Sequence, residues 1–175
     1  MDNKYGKIIA PGTLRFRRVL PGPIERVWEY LTESEKRGQW LAYGDMELHV
    51  GGKVELRFFH ADLSPHQETL PDKYRHYEQG HGFTGQIRQC DPPHLLAFTW
   101  GDGSEVTIAL EEQSDGKVLL TLTHRKLEDK QETRISVASG WHTHLGILEA
   151  KLAGQVPEGF WAVHTYMETV YGKLI

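Results

Sequence analysis

Ten histidines among 175 residues are the feature of this chain that bears most directly on chemistry, and their spacing limits what they do. His66, His76 and His81 fall in or beside one polar stretch, while His142 and His144 fall in a segment patterned as a helix. Zinc requires several such ligands converging on one point. Side chains two apart on a helix project about 200° apart, so His142 and His144 do not share an ion. No CxxC or HExxH pattern replaces them, and no metal site is expected. His164 and Glu168 are four apart, a spacing that suits a general base with its orienting carboxylate and equally an exposed hydrogen-bonded pair. Spacing alone assigns no catalytic residue. His124 and Arg125 close a strand-like segment and Arg18 lies in another. Turned inward, they would anchor a ligand's oxygen atoms, although a buried Arg18 would need a carboxylate such as Glu47, Glu55 or Glu105.

Other chemistries lack their signatures. No GxSxG elbow, Walker-type GxxxxGKS/T loop or GxGxxG turn is present, so neither nucleotide hydrolysis nor a bound cofactor is expected. A net charge of −4 with scattered basic residues offers no phosphate-neutralising surface for nucleic acid. Cys90 is the single cysteine, which excludes an intrachain disulfide and suits a reducing cytoplasm. The polar stretch at 1–7 does not resemble a signal peptide, and no run approaches the ~20 apolar residues of a membrane span. A cytoplasmic protein is the expectation. With 39% hydrophobic and 25% charged residues the chain has a globular balance, and its length suits one domain over 1–175.

The positioning elements follow from periodicity. Alternation of Leu14, Phe16, Arg18 and Leu20 predicts a first strand over 13–20. Pro21, Gly22 and Pro23 end it, and Ile24, Val27, Trp28 and Leu31 predict a helix, followed by a short one over 33–39 that presents Trp40 and Leu41 to the core. Six strands are then expected. Met46, Leu48 and Val50 pair across Gly51-Gly52 with Val54, Leu56 and Phe58; strands at 83–87, 95–100, 106–110 and 118–124 follow. The polar stretch 60–80 exceeds ordinary loop length, which marks a lid or a locally disordered segment. Val137, Trp141, Leu145, Leu148 and Leu152 predict a long amphipathic helix able to cross a whole sheet. Gly154 and Pro157 end it, and an aromatic helix is expected at 160–171.

This order is accompanied by specific wording: LRFRRVLPGPIERVWEYLTESEKRGQWL at 14–41, DPPHLLAFTW at 91–100, LTLTHRKL at 120–127 and GWHTHLGILEAKLAG at 140–154. Together these resemble the family named after the activator of heat-shock protein 90 ATPase, within the START and birch-pollen-allergen-like (SRPBCC) superfamily. The resemblance covers a core at 13–154 and leaves 157–175 as an extension. It implies an α+β helix-grip fold, in which a curved seven-stranded antiparallel sheet wraps a long C-terminal helix around a cavity. It also implies a small hydrophobic or aromatic ligand, such as a lipid, polyketide or flavonoid-like molecule. Cyclase or dehydratase activity, with His144 or His124 moving protons, and a cochaperone role on a chaperone ATPase are the alternatives. Monomer and homodimer both stay open.

With the more apolar parity turned inward, the sheet offers Met46, Leu48, Leu56, Phe58, Phe83, Phe98, Trp100, Ile108, Leu120 and His124 to such a cavity. The helix offers Trp141, His144 and Leu145, and Trp40 is expected near the opening. The same alternation describes plain core filling. The insertion at 60–80 and the aromatic tail depart from the family pattern and are placed to alter or close the mouth.

Overall fold

The computed structural model describes residues 4–175; the polar start of the chain at residues 1–3 lies outside the described residues. Seven antiparallel strands form one sheet in the order β1-β2-β7-β6-β5-β4-β3. They are β1 (Lys7–Ala10), β2 (Thr13–Leu20), β3 (Lys53–Phe58), β4 (His81–Asp91), β5 (Leu95–Thr99), β6 (Glu105–Glu112) and β7 (Val118–Arg125). Helices α1 (Ile24–Thr32) and α2 (Ser34–Arg37) follow β2, and α3 (Gln131–Leu152) and α4 (Phe160–Leu174) close the chain. The architecture is the expected α+β sheet with a long helix near the C-terminus.

Register explains why one face of the sheet is apolar. Leu14 pairs with His124, His124 with Val106, Val106 with Phe98 and Phe98 with Ile87, which lines up five inward residues across five strands. The next row carries Phe16, Leu122, Ile108 and Leu96, all buried. Side chains alternate across a strand, so this parity is fixed along each element once one residue is buried. Helix α3 buries Ala138, Trp141, Leu145, Leu148 and Leu152 in the core these rows form.

Two sequence expectations need correction. The stretch 46–50 is not a strand: it contributes a single bridge, Met46 to Val54, while Leu48 and Val50 are 41% and 71% exposed. Pairing with β3 begins earlier, at Tyr43 and Arg57, and passes the left-handed Gly44, so 47–52 form a wide turn rather than a two-residue one. The seventh strand is β1, whose adjacent Ile8 and Ile9 give no alternation to read; Gly12, at φ +70°, turns it back onto β2. Five strands, not six, therefore follow the first two helices. The stretch 60–80 is ordered by two short 3-10 helices, His60–Leu63 and Asp72–Tyr77.

Buried Arg37 shapes the chain after α2. Its guanidinium donates to the carbonyls of Ala42, Leu31, Thr32 and Gly44. Burial draws its pKa down to about 10, with Asp45 opposing that shift. Trp40 is wholly buried, its Nε1 donating to the Tyr30 carbonyl at 2.7 Å, so it lies in the core and not at an opening.

Candidate functional site

The sheet and α3 are not in contact along their full length. Where β3, β5 and β7 finish and β4 begins, large rings replace aliphatic side chains, and a cavity of about 190 Å3 remains between them and α3. Phe58 and Phe83 form one wall, Trp100 and His124 another, and Trp141 and His144 project from α3. The rings meet at angles: Phe83 and Trp100 lie 4.8 Å apart, tilted by 59°, and Trp100 and Trp141 lie 5.3 Å apart, tilted by 53°. Flat, rigid rings in such arrangements leave gaps that branched aliphatic chains would fill. A Cβ placed on Gly140, which also lines the cavity, would meet nothing within 4 Å.

Six of the residues read from the sequence thus come together here: Phe58, Phe83, Trp100, His124, Trp141 and His144. The other six, Trp40, Leu56, Phe98, Ile108, Leu120 and Leu145, are at most 2% exposed, belong to the packed core and are not among the lining residues.

The roof comes from the two segments that depart from the family pattern, the 60–80 stretch and the aromatic tail. His60, Tyr74 and Tyr77 descend from the 60–80 stretch and Phe160, Trp161 and His164 from α4. Helix α4 has no side-chain cap of its own at Gly159; instead Glu68 reaches over and accepts from the backbone N–H of Trp161 at 2.9 Å and of Ala162 at 2.6 Å. A carboxylate there satisfies orphan donors and meets the positive end of the helix dipole. Lys73 and Tyr74 both donate to Glu168, at 2.6 and 3.0 Å, and Ser64 donates to the Pro157 carbonyl. A second cavity of about 450 Å3 under the 60–80 stretch shares His60, Tyr77 and Trp161 with the first.

Hydrogen bonding fixes the protonation of two walls. An indole N–H donates and never accepts. Trp141 Nε1 lies 3.0 Å from His124 Nδ1, so that nitrogen carries a lone pair and Nε2 carries the proton. Nε2–H then donates to Ser104 Oγ at 2.6 Å, and Ser104 donates in turn to Asp102 Oδ1. A directed chain therefore runs Trp141, His124, Ser104, Asp102. His144 Nδ1 donates to the Trp40 carbonyl at 2.7 Å, which leaves Nε2 as its acceptor.

Burial keeps these imidazoles neutral. Desolvation lowers the pKa of His124 to about 4 against the pull of Asp102, and that of His144 to about 4 against the Trp40 hydrogen bond. It lowers His60 to about 2, with His144, His81 and His164 adding repulsion. His81 and His164 are lowered too, chiefly by desolvation. Among the described residues, five buried side-chain polar atoms lack a hydrogen-bond partner, and four belong to residues lining this cavity: His60 Nδ1, His81 Nδ1, His164 Nδ1 and Trp161 Nε1. His164 Nδ1 lies 3.5 Å from Glu168 Oε1; the other three are left without a partner where buried polar atoms are normally paired.

The remaining candidates fall elsewhere. His142 turns away from His144 and meets Tyr171 Oη at 2.9 Å. His164 Nδ1 and Glu168 Oε1 do share a face, at 3.5 Å. Arg18 is buried, but its partners are Glu149 at 3.3 Å and the Lys4 carbonyl, not Glu47, Glu55 or Glu105. Exposed Arg125 pairs with Glu105 at 2.7 Å. No group of three or more His, Cys, Asp or Glu among the described residues is arranged to hold a metal ion. No helix of the described chain is long and apolar enough to cross a membrane.

A curved antiparallel sheet gripping one long helix, with an aromatic void between them, defines the class: a helix-grip protein of the START-like kind. Within that class the chain belongs to the family described as Activator of Hsp90 ATPase homolog 1-like protein, whose profile matches residues 21–153. A Bordetella parapertussis protein solved by solution NMR is 40% identical, with a TM-score of 0.82 over 98% of this chain and 90% of that one. CalU16 from Micromonospora echinospora, a crystal structure, is 20% identical, with a TM-score of 0.65 over 97% and 94%. The Aha1 dimer from Colwellia psychrerythraea is 16% identical, with a TM-score of 0.59 over 80% and 95%. These last two share the fold. No curated protein matches the sequence.

Proposed function

We propose that the chain binds a small aromatic molecule bearing one or more polar groups in the cavity between β3–β5, β7 and α3. The observation that supports this is the group of buried polar atoms without a hydrogen-bond partner, His60 Nδ1, His81 Nδ1 and Trp161 Nε1, on residues that line a mainly aromatic cavity. A few polar anchors in an apolar enclosure are the usual make-up of small-molecule sites. A volume of about 190 Å3 suits a molecule of one or two rings. Native mass spectrometry of freshly isolated protein tests the reading. A co-purified small molecule, lost from Trp141→Ala, is expected; uniformly ligand-free protein that also binds no aromatic probe would remove it.

An enzymatic reading, of the cyclase or dehydratase type, is favoured by one detail. His144 keeps a neutral acceptor nitrogen beside the cavity, whereas both nitrogens of His124 are committed. His144 is therefore the candidate proton acceptor, and turnover of a polyketide substrate abolished by His144→Gln is its test. A partner reading follows from the family description and from the Aha1 neighbour. Stimulation of a cognate chaperone ATPase by the purified protein checks it, and absence of binding at high concentration removes it.

A further inference from the structure

The charges around the cavity say more about the ligand than its shape does. Among the lining residues Asp102 alone is acidic, and none is a lysine or arginine. On the roof, Lys73 is committed to Glu168 at 2.6 Å and Arg75 to Asp72 at 3.0 Å. The histidines add no positive charge, because burial holds them neutral. A carboxylate or phosphate entering this cavity would lose its hydration and meet no countercharge, a costly transfer.

Asp102 is exposed at the tight turn between β5 and β6, yet it lines the cavity beside Trp100. Its Oδ1 is held by the Ser104 N–H at 2.9 Å and by the Ser104 hydroxyl, which fixes the carboxylate in place. Its other oxygen, Oδ2, has no hydrogen bond from the described residues. Trp100 and Trp141 line the same cavity, and indole is the ring that attracts cations best.

We propose that the cavity selects aromatic molecules carrying a cationic amine, the ring enclosed among Phe83, Trp100 and Trp141 and the ammonium at Asp102 in the mouth, and rejects aromatic carboxylates. This inference rests on the ligand-binding reading above and narrows it to a charge class.

Three matched probes separate the two ideas: phenethylamine, phenethyl alcohol and phenylacetate, titrated at neutral pH and low salt and followed by tryptophan fluorescence and calorimetry. The amine is expected to bind about tenfold tighter than the alcohol, from one charge pair in a partly solvated mouth, and phenylacetate weaker than both. Asp102→Asn keeps an oxygen for Ser104 and should erase the amine's advantage while the alcohol's affinity holds. Should that variant fail to fold, salt titration of the natural protein replaces it, because the preference must shrink as screening rises. If the alcohol binds but phenylacetate equals or beats the amine, or if the preference survives Asp102→Asn or ignores salt, the inference is overturned and ligand binding stands. If none of the three binds, both fall.

Discussion

The two ends of the sheet have the same strands, the same alternation and the same helix above them, yet one is packed solid and the other is hollow. At the packed end Leu56, Phe98, Ile108 and Leu120 of the sheet share one core with Leu145 of α3, each at most 2% exposed. At the hollow end the same inward parity carries Phe58, Phe83, Trp100 and His124. Branched aliphatic side chains interdigitate, whereas rings with ring-nitrogen edges need partners of particular shape and polarity. The proposed binding site is thus a change of residue type along strands whose geometry does not change.

Substitutions at Phe98 in β5 and at Trp100 just past its end sharpen that contrast most. Phe98→Ala should cost about 3–5 kcal/mol of stability by urea unfolding, whereas Trp100→Ala, whose ring already borders empty volume, should cost about 1–2 kcal/mol. Trp100→Ala should nevertheless be the variant that loses aromatic-probe affinity. Equal losses of stability at both positions would erase the distinction between the ends.

Acid should attack the hollow end. His60, His124 and His144 have folded-state pKa values of about 2, 4 and 4, below the ordinary 6.5. Between these values the unfolded chain binds more protons, so their contribution is fully present above 6.5 and is lost as pH falls towards 4. Each histidine that protonates only on unfolding contributes a slope of more than about 1 kcal/mol per pH unit in that window. A flat stability curve there would contradict neutral, buried imidazoles.

Smaller effects belong to the roof and to the space itself. Glu68→Ala should cost about 1 kcal/mol by uncapping α4 and should speed proteolysis within 60–80, leaving the sheet's amide exchange unchanged. Gly140→Ala should raise stability by about 0.5–1 kcal/mol, because a helical glycine is replaced where an added methyl group meets open space. Gly140→Leu should cut probe affinity by filling that space. Destabilisation by the alanine would mean that the space is already occupied by protein.

The sequence made the two ends legible unevenly. Alternation within β2, β3, β6 and β7 and the three-four spacing in α3 named the inward residues of both, because burial imposes a period that a chain displays locally. It did not separate them, since Phe98 and Trp100 have the same parity along the expected strand 95–100 and differ in what faces them. The wall residues His60, Tyr74 and Tyr77 carry no period, because they sit on 3-10 turns, and the stretch that carries them meets α4 through the contact of Glu68 across more than ninety residues. The unusual length of 60–80 and the aromatic tail were the two signals of a roof. Leu48 was misread because a glycine-rich turn interrupts the pairing on which its parity depended.

Proton–nitrogen NMR of the five tryptophan indoles during titration with phenethyl alcohol tests the hollow end most directly. Trp161 Nε1–H, buried without a partner, should move furthest and Trp100 should respond with it, while Trp40, whose Nε1 is bonded to the Tyr30 carbonyl and which does not line the cavity, stays still. A shift at Trp40 with Trp161 unmoved, or no saturable shift at any indole, would contradict a guest lodged between the helix and the sheet.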